Sequence, residues 1–552
     1  MALLDEYQVG TDGPWTVAGA GHPYRRAGFG STPEERAAAV GNGTQVEFRA
    51  AVDALVNIAA LDPHLDQPAG TGTGVYGDPI ADLPDDTSDL GQVKNPKDIV
   101  PLIGWWLYRM RYTSQPLQEQ LTLFLHDHFV SEWQKIVPKI LAIIAPTGCY
   151  PGQTIEELGL LVNQIAATGF INQNNLLRRT GIDSFRDLLL NVTRDPIMLE
   201  YLDNVDNRKG RAQENYAREV MELFSLGVGN YSEQDIREIA RVLTGETLPR
   251  LDCAHDFDAS YGFDASIHDT GDKLVFGTTI TGKNDGSETE EVIDLLMNKV
   301  SVAPLVENLP APYNDLPATA VFLSWKLLRW FVNHEVSLDP PSPVVLELAH
   351  YMRGTDNGAY PQRRFPYDFR ACLRKLFLSK YFYDASQRFA MYKVPADYVV
   401  GILRALELHD QFTSVTGPGT QMVLMGMILF IPPNVSGWQH GKAWVTSGSM
   451  IARYNYADYL TEFYSVVNPE WATRIQNLLA ANGGPIANET DFEGLVEYFA
   501  ERLIQDEISA EERSLLIDFL AGMPTISSAT RFRDRVMGLI HVMLTLPKAH
   551  LK

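Results

Sequence analysis

Apolar residues recur along most of the chain at the three- and four-residue spacing of an amphipathic helix. Two segments also carry helix start signals, a capping hydroxyl followed three residues later by an acid: 32–35 (T-P-E-E) and 232–235 (S-E-Q-D). The pattern predicts a mainly α protein, a large irregular multi-helix bundle. The helical spacing is found at 97–111, 116–130, 154–168, 183–202, 212–226, 316–333, 343–353, 366–379, 394–408, 442–465 and 526–545.

Strand signals are sparse, and two long stretches have no regular period. The clearest strand pattern is 273–281 (K-L-V-F-G-T-T-I-T), followed by Gly282 and by N-D-G at 284–286, which predicts one small β-hairpin. The stretch 59–92 is predicted to be a long acidic loop, and 247–290 a long irregular insertion. The first holds seven aspartates and no lysine or arginine. They could supply oxygen ligands to calcium, but a solvated loop is favoured because the spacing of an EF-hand is missing.

Charge and composition narrow the class of protein. The chain has 552 residues, with 46 basic and 69 acidic side chains and a net charge of −23. This balance argues against nucleic acid as a partner, because such binding needs clustered cations. The longest apolar run, 422–431, is too short to cross a bilayer, and no signal peptide is visible at the N-terminus, so a cytoplasmic location is favoured. Three well-separated cysteines, Cys149, Cys253 and Cys372, predict neither a disulfide framework nor a zinc ribbon.

Seven word-like segments occur in order along the chain, from HPYRRAGFGSTPEE at 22–35 through LFLHDHF at 123–129 to PNVSGWQHGKAW at 433–444. Together they resemble one bacterial family, domain of unknown function 1800 (DUF1800). The resemblance implies a mostly helical protein without an agreed activity, often exported and often encoded beside a sulfatase-like partner. Three departures stand out: the leader of the relatives is missing, W-H-N-H-F reads L-H-D-H-F here, and the family's Trp after L-T-G is Glu246. The segments are 22–35 (HPYRRAGFGSTPEE), 123–129 (LFLHDHF), 195–204 (DPIMLEYLDN), 214–236 (ENYAREVMELFSLGVGNYSEQDI), 240–245 (ARVLTG), 263–273 (FDASIHDTGDK) and 433–444 (PNVSGWQHGKAW).

The matching segments divide the chain into three parts. We predict an N-terminal arm at 1–20, a DUF1800-like helical domain at 21–460, and a C-terminal helical subdomain at 461–552. The helical domain would contain both irregular stretches, the acidic loop 59–92 and the insertion 247–290.

Two of the matching segments carry candidate metal and acid–base residues. His126 and His128 are potential metal ligands, but two residues along a regular helix point in opposite directions, so joint chelation needs a distorted helix. His128 falls within the apolar stripe and His126 near its polar edge, which leaves a buried structural histidine as the alternative. Glu219 and Glu222 share one helix face and could hold a cation or divide acid and base roles. Arg218 could instead pair with Glu222, leaving a solvated polar face.

Two further candidates lie near turns. His268 and Asp269 adjoin in the irregular insertion, where imidazole and carboxylate could ligate a metal or exchange protons, although Asp269 could also cap the following turn. Arg25 and Arg26 precede a glycine turn and a helix start, a setting for an anion site, with pairing to the acidic surface as the alternative. The segment G-W-Q-H-G-K-A-W, 437–444, could stack on carbohydrate or form a rigid turn against the core.

Two classes of function remain open. The favoured one is a metal-binding, hydrolase-like enzyme with a divalent cation as its cofactor. In it the histidines at 126, 128 and 268 would ligate the metal, the acids at 219, 222 and 269 would serve as catalytic groups, and these side chains would meet in one pocket within about 5 Å. The alternative is a non-catalytic scaffold that binds a protein partner or self-associates. No nucleophile elbow, zincin, P-loop or dinucleotide fingerprint is present.

Overall fold

Amphipathic helices make up most of the chain, as the periodicity predicts. The computed structural model describes residues 3–59, 99–144, 154–248, 261–300, 312–354, 366–408, 417–467, 469–505, 508–523 and 531–552. Within these ranges there are 23 α-helices. The predicted acidic loop 59–92 lies outside the described residues, apart from Ala59, as do Cys149 and Cys253.

The helices are numbered in chain order. The first twelve are α1 (Val17–Ala27), α2 (Pro33–Val40), α3 (Gln45–Val56), α4 (Ile99–Tyr112), α5 (Pro116–His128), α6 (Trp133–Ile144), α7 (Ile155–Thr180), α8 (Phe185–Thr193), α9 (Pro196–Tyr201), α10 (Glu214–Glu222), α11 (Glu233–Val242) and α12 (Glu288–Asn298). The others are α13 (Ala318–Phe331), α14 (Pro343–Arg353), α15 (Phe369–Phe377), α16 (Lys380–Tyr383), α17 (Pro395–Ala405), α18 (Pro418–Leu424), α19 (Ser447–Val467), α20 (Pro469–Gln476), α21 (Phe492–Leu503), α22 (Ala510–Gly522) and α23 (Arg531–Thr545).

Local capping sets several helix starts. The Thr32 hydroxyl accepts a hydrogen bond from the Glu35 amide, and the Glu35 carboxylate accepts one from the Thr32 amide, so the predicted capping box opens α2. Ser232 and Asp235 form the same box at α11. α7, by contrast, runs to Thr180, well past the predicted 154–168, because its periodic burial continues against α5 and α6.

α5 lies at the centre of the bundle. Every residue from Leu117 to His128 is buried, and the helix packs against α1, α3, α4 and α7. The predicted polar edge of this helix, on which His126 was placed, is therefore covered; His126 is only 1 % exposed. A helix enclosed on all sides must satisfy its polar side chains internally, since water does not reach them.

Two small antiparallel sheets accompany the helices. β3 (Lys273–Val275) and β4 (Thr278–Ile280) form the predicted hairpin, with Leu274 opposite Thr279. Its turn lies at Phe276 and Gly277, inside the segment predicted as one strand, and not at the N-D-G of 284–286. Both turn residues have positive φ, +50° and +77°, as a tight two-residue hairpin loop requires. β1 (Glu246–Thr247) and β2 (Gly262–Phe263) form a second pair that the sequence did not predict.

The segments after residue 460 pack onto the preceding helices. α23 contacts α19, α20, α21 and α22, and α21 contacts α17. Whether 461–552 is a separate subdomain stays a prediction, as does the arm at 1–20. Among the described residues, no helix is both long enough and apolar enough to cross a membrane.

Candidate functional site

A cavity of about 520 Å³ opens beside the C-terminal end of α5. Its walls come from five parts of the chain: the last turn of α5, the end of α10 with the turn that follows, one face of α13, the segment between α13 and α14, and the irregular segment before residue 441. Small-molecule sites commonly have such volumes and mainly apolar walls with a few polar groups. The lining residues are Phe124, Asp127, His128, Glu222, Leu223, Leu226, Gly227, Val228, Asn230, Ala318, Val321, Phe322, Trp325, Lys326, Arg329, Trp330, Leu338, Asp339, Ser436 and His440.

A carboxylate and an imidazole meet at the wall of this cavity. Nε2 of His440 lies 3.2 Å from Oδ2 of Asp127, and the Asp127 side chain is 4 % exposed, whereas that of His440 is 28 % exposed. The other oxygen, Oδ1 of Asp127, accepts a hydrogen bond of 2.6 Å from the Trp438 amide. The carboxylate is thus fixed on one side while the imidazole it contacts faces the cavity. This is the arrangement of a histidine oriented for proton transfer.

Gly437 explains how the two segments approach so closely. It has φ of +85°, and a Cβ built on it would lie 2.3 Å from Oδ1 and 2.6 Å from the backbone oxygen of Asp127. Only glycine leaves this space free and adopts the backbone angle without strain. The S-G-W-Q-H segment is therefore a rigid turn against the core, one of the two predicted alternatives, and it presents His440.

α13 supplies two cations to the cavity wall, and its Trp330 packs against His440 with ring centres 5.9 Å apart. Lys326 and Arg329 are one helical turn apart and both line the cavity. The Lys326 ammonium lies 5.4 Å from the Phe322 ring centre, and the Arg329 guanidinium lies 4.7 Å from that of Trp325. Burial lowers the pKa of Lys326; the nearby Asp127 carboxylate opposes this shift and Arg329 adds to it.

Of the predicted acid pair, Glu222 reaches the cavity. Oε2 of Glu222 accepts a hydrogen bond of 2.5 Å from the Tyr231 hydroxyl. Glu219 lies on the same face of α10 but does not line the cavity; burial, and then the Glu222 carboxylate, raise its pKa. Arg218 pairs with Glu233 through two contacts of 3.1 Å and not with Glu222, so the predicted alternative of a Glu222 salt bridge is wrong.

The two histidines of α5 have separate surroundings. His126 packs among the rings of Trp106, Phe430 and Trp438, and burial lowers its pKa to about 4. Nε2 of His128 donates a hydrogen bond of 3.0 Å to the carbonyl oxygen of Phe224, and burial places its pKa well below the ordinary value. α5 stays regular up to His128, so the two rings do not point to one metal ion.

His268 and Asp269 belong to a different place in the fold. Nδ1 of His268 lies 2.5 Å from the Thr244 carbonyl oxygen, and its Nε2 lies 3.3 Å from Oε1 of Glu288, whose other oxygen pairs with Lys273. Asp269 accepts a hydrogen bond of 2.9 Å from Nε of Arg241, which lowers its pKa to about 2. These contacts join the hairpin to α11 and α12. They do not reach the cavity.

Arg25 and Arg26 lie in the last turn of α1 and are buried. Arg25 donates to the carbonyl oxygen of Gln505 at 2.5 Å, and Arg26 donates to that of Val332 at 2.6 Å and to that of Gln387. These contacts are to backbone carbonyls, and the predicted pairing of the two arginines with the acidic surface stays a prediction. An anion site at the pair stays a prediction; the adjoining cavity is about 20 Å³, the size of one water.

The predicted metal centre does not assemble in the part of the chain that the structure describes. There, no group of three or more His, Cys, Asp or Glu side chains could hold a metal ion. Of the six predicted side chains only His128 and Glu222 share a cavity, so the expected convergence is wrong. The prediction grouped three pairs of residues by their chemical type, although the pairs are far apart in the sequence. In the folded chain each pair packs against different neighbours.

Asp127, His440, Lys326 and Arg329 were not predicted as site residues. Asp127 stands between the two candidate histidines, and His440 lies in another matching segment, so both had a signal in the sequence. Lys326 and Arg329 follow ordinary helical spacing and had none.

The model of one protein family matches nearly the whole chain. The match covers residues 22–144 and 161–551 and is described as protein of unknown function (DUF1800). Comparisons with curated proteins and with solved structures give no match. The cavity is built from segments inside the matched ranges, including those around Asp127 and His440. The chain therefore belongs to the DUF1800 family of proteins of unknown function.

Proposed function

We propose that the cavity beside α5 is the active site of a hydrolase that uses His440 as its general base. The observation that carries the proposal is the contact of 3.2 Å between Nε2 of His440 and Oδ2 of Asp127 at the cavity wall. Asp127 holds one ring nitrogen, which leaves the other for a proton of a bound water. A base held in this way contributes about 10² to 10⁴ in rate.

The chemistry assigns each proton a place. His440 takes a proton from water as the water oxygen attacks the carbonyl carbon of an ester. The carbon–oxygen bond to the leaving alcohol breaks, and the imidazolium returns the proton to that oxygen. Asp127 stabilises the charge on His440 between the two transfers. Glu222 is placed as a second polar group at the same wall, held by Tyr231.

The proposal replaces a ligated metal with side chains of this chain, because the described residues bring no three ligating groups together. Catalytic roles for Glu219 and Asp269 stay predictions, and so does the scaffold alternative. Asp269 distinguishes the two hypotheses: its carboxylate is engaged by Arg241 and lies away from the cavity, so the present proposal expects Asp269→Asn to be active whereas a catalytic role for Asp269 expects a loss.

The test is hydrolysis of uncharged 4-nitrophenyl esters of acetate, butyrate and hexanoate by the full chain. We expect measurable kcat/KM for the wild type, a fall of about 100-fold in His440→Gln, and a smaller fall in Asp127→Asn. Asp269→Asn should keep the wild-type rate. Equal rates in wild type and His440→Gln, or no hydrolysis of any ester by wild type, would overturn the proposal.

A further inference from the structure

In the described part of the chain the cations of α13 have no carboxylate in direct contact, although Asp127 attracts both of them from a distance and Glu335 attracts Arg329. Within the described ranges Lys326 and Arg329 take part in no ion pair and in no hydrogen bond, and Nε of Arg329 is buried without an acceptor. Other guanidiniums in this fold, such as those of Arg178 and Arg241, are engaged by carboxylates. Both residues are half-buried, and a cation removed from water without a direct acceptor is costly unless something compensates it.

The carboxylates of the same cavity are already engaged. Asp127 accepts from the Trp438 amide and contacts His440, and Glu222 accepts from the Tyr231 hydroxyl. The third acid, Asp339, is exposed. Asp127 and Glu222 thus have donors at the wall, while Lys326 and Arg329 line the cavity without a hydrogen-bond acceptor among the residues described.

The rest of the α13 wall is aromatic. Phe322, Trp325 and Trp330 line the cavity together with Phe124 of α5. Trp330 and Phe124 pack edge-on, with ring centres 5.6 Å apart. Such a surface favours an apolar body, and large aromatic side chains dominate the energetics of burial.

From this we infer that the cavity binds a small, mainly apolar molecule carrying one anionic oxygen group. The anion contacts Lys326 and Arg329, and the apolar body packs against Phe322, Trp325 and Trp330. This inference rests on the proposed function, because it concerns the same cavity. The anionic end of the bound molecule would lie at α13, and the bond that is hydrolysed would lie at His440.

The test compares three probes of one shape: 2-naphthoate, 2-naphthyl phosphate and the neutral 2-naphthalenemethanol. Binding to the full chain is measured by titration calorimetry. We expect either anion to bind at least about 10-fold more tightly than the alcohol, because a hydrogen bond to a charged group is worth about that factor or more. A preference between carboxylate and phosphate identifies which anionic group the site takes.

Variants locate the anion. Lys326→Met and Arg329→Gln should each weaken 2-naphthoate binding by about 10-fold while leaving 2-naphthalenemethanol unchanged. Lys209→Met, at an exposed lysine, is the matched control and should bind like the wild type. Equal binding of anion and alcohol to wild type, or no binding of any probe, overturns the inference even if a variant fails to fold. Weakening of both probes alike would also overturn it.

The two proposals fail separately. His440→Gln should lose hydrolysis and keep the preference for 2-naphthoate. An anion preference without any ester hydrolysis refutes the general base alone. Hydrolysis that depends on His440 without an anion preference refutes the α13 subsite alone.

Discussion

Replacing Gly437 with alanine should damage both stability and the candidate site. Two effects act together at this position. The backbone has φ of +85°, where a side chain costs about 1–2 kcal/mol. The new Cβ would also lie 2.3 Å from Oδ1 and 2.6 Å from the backbone oxygen of Asp127, whereas ordinary contacts begin at 3.4 Å. Overpacking of this kind costs about 1–3 kcal/mol, so we expect a total loss of about 2–5 kcal/mol.

Gly483 offers a matched control for the backbone effect. Its φ is +88°, and a Cβ built there meets no atom within 4 Å. Gly483→Ala should therefore lose only the strain of about 1–2 kcal/mol. The difference between the two variants isolates the cost of pushing the turn away from Asp127.

Stability is measured by urea denaturation followed by circular dichroism. Ester hydrolysis by each variant is measured separately, in the absence of urea. Gly437→Ala should have the lower urea midpoint and a reduced kcat/KM, because its relief requires Asp127 or the turn carrying His440 to move by about 1 Å. Gly483→Ala should hydrolyse like the wild type. Equal midpoints for the two variants, with hydrolysis intact in both, would refute the close approach of the turn to Asp127.

Two further predictions concern buried carboxylates. Burial alone would raise the pKa of Glu119, but Arg178, at 2.7 Å, and Arg109 hold this pKa below its ordinary value. Glu119→Gln should therefore lower the free energy of unfolding by about 3–5 kcal/mol at pH 7, because it removes the carboxylate that pairs with both buried guanidiniums. The measurement is urea denaturation, and Glu493→Gln, at an exposed residue, is the control that should be unaffected. Burial raises the pKa of Asp195 to about 7, so between about pH 4 and 7 the folded chain binds more protons than the unfolded chain, and stability falls as the pH rises through that window. Asp195→Asn should reduce this fall, measured as the difference between the urea midpoints at pH 5 and pH 8. The same difference in the variant and in the wild type would contradict the prediction.

Locally encoded features were predictable from the sequence, and features decided by distant neighbours were not. The capping box at Thr32 and Glu35 is specified by residues three apart, and the structure contains it. The hairpin turn escaped because Phe276 takes a positive φ, which its residue type does not indicate. The helical class follows from periodicity alone, but the burial of the whole circumference of α5 follows from the helices that surround it.

The site shows the same division more sharply. Asp127 and Trp438 are 311 residues apart, so no local pattern joins them. Residue type drew attention to His268 and Asp269, yet both are occupied by Glu288, Thr244 and Arg241 in contacts that hold the hairpin in place. A selection of residues by chemical type alone therefore assigns too many residues to a site, because it does not show which side chains are already engaged by other partners.

The three polar residues that end α5 have different roles because each points about 100° around the helix from the one before. His126 meets a cluster of aromatic rings, Asp127 meets the turn that carries His440, and His128 meets the carbonyl of Phe224. An asparagine at the middle position would keep an amide oxygen that could also accept from the Trp438 amide. An amide would keep the turn in place but carry no charge toward His440. Asp127→Asn therefore separates the two roles of this position: unchanged stability with slower hydrolysis assigns the carboxylate to chemistry, and loss of both assigns it to the fold.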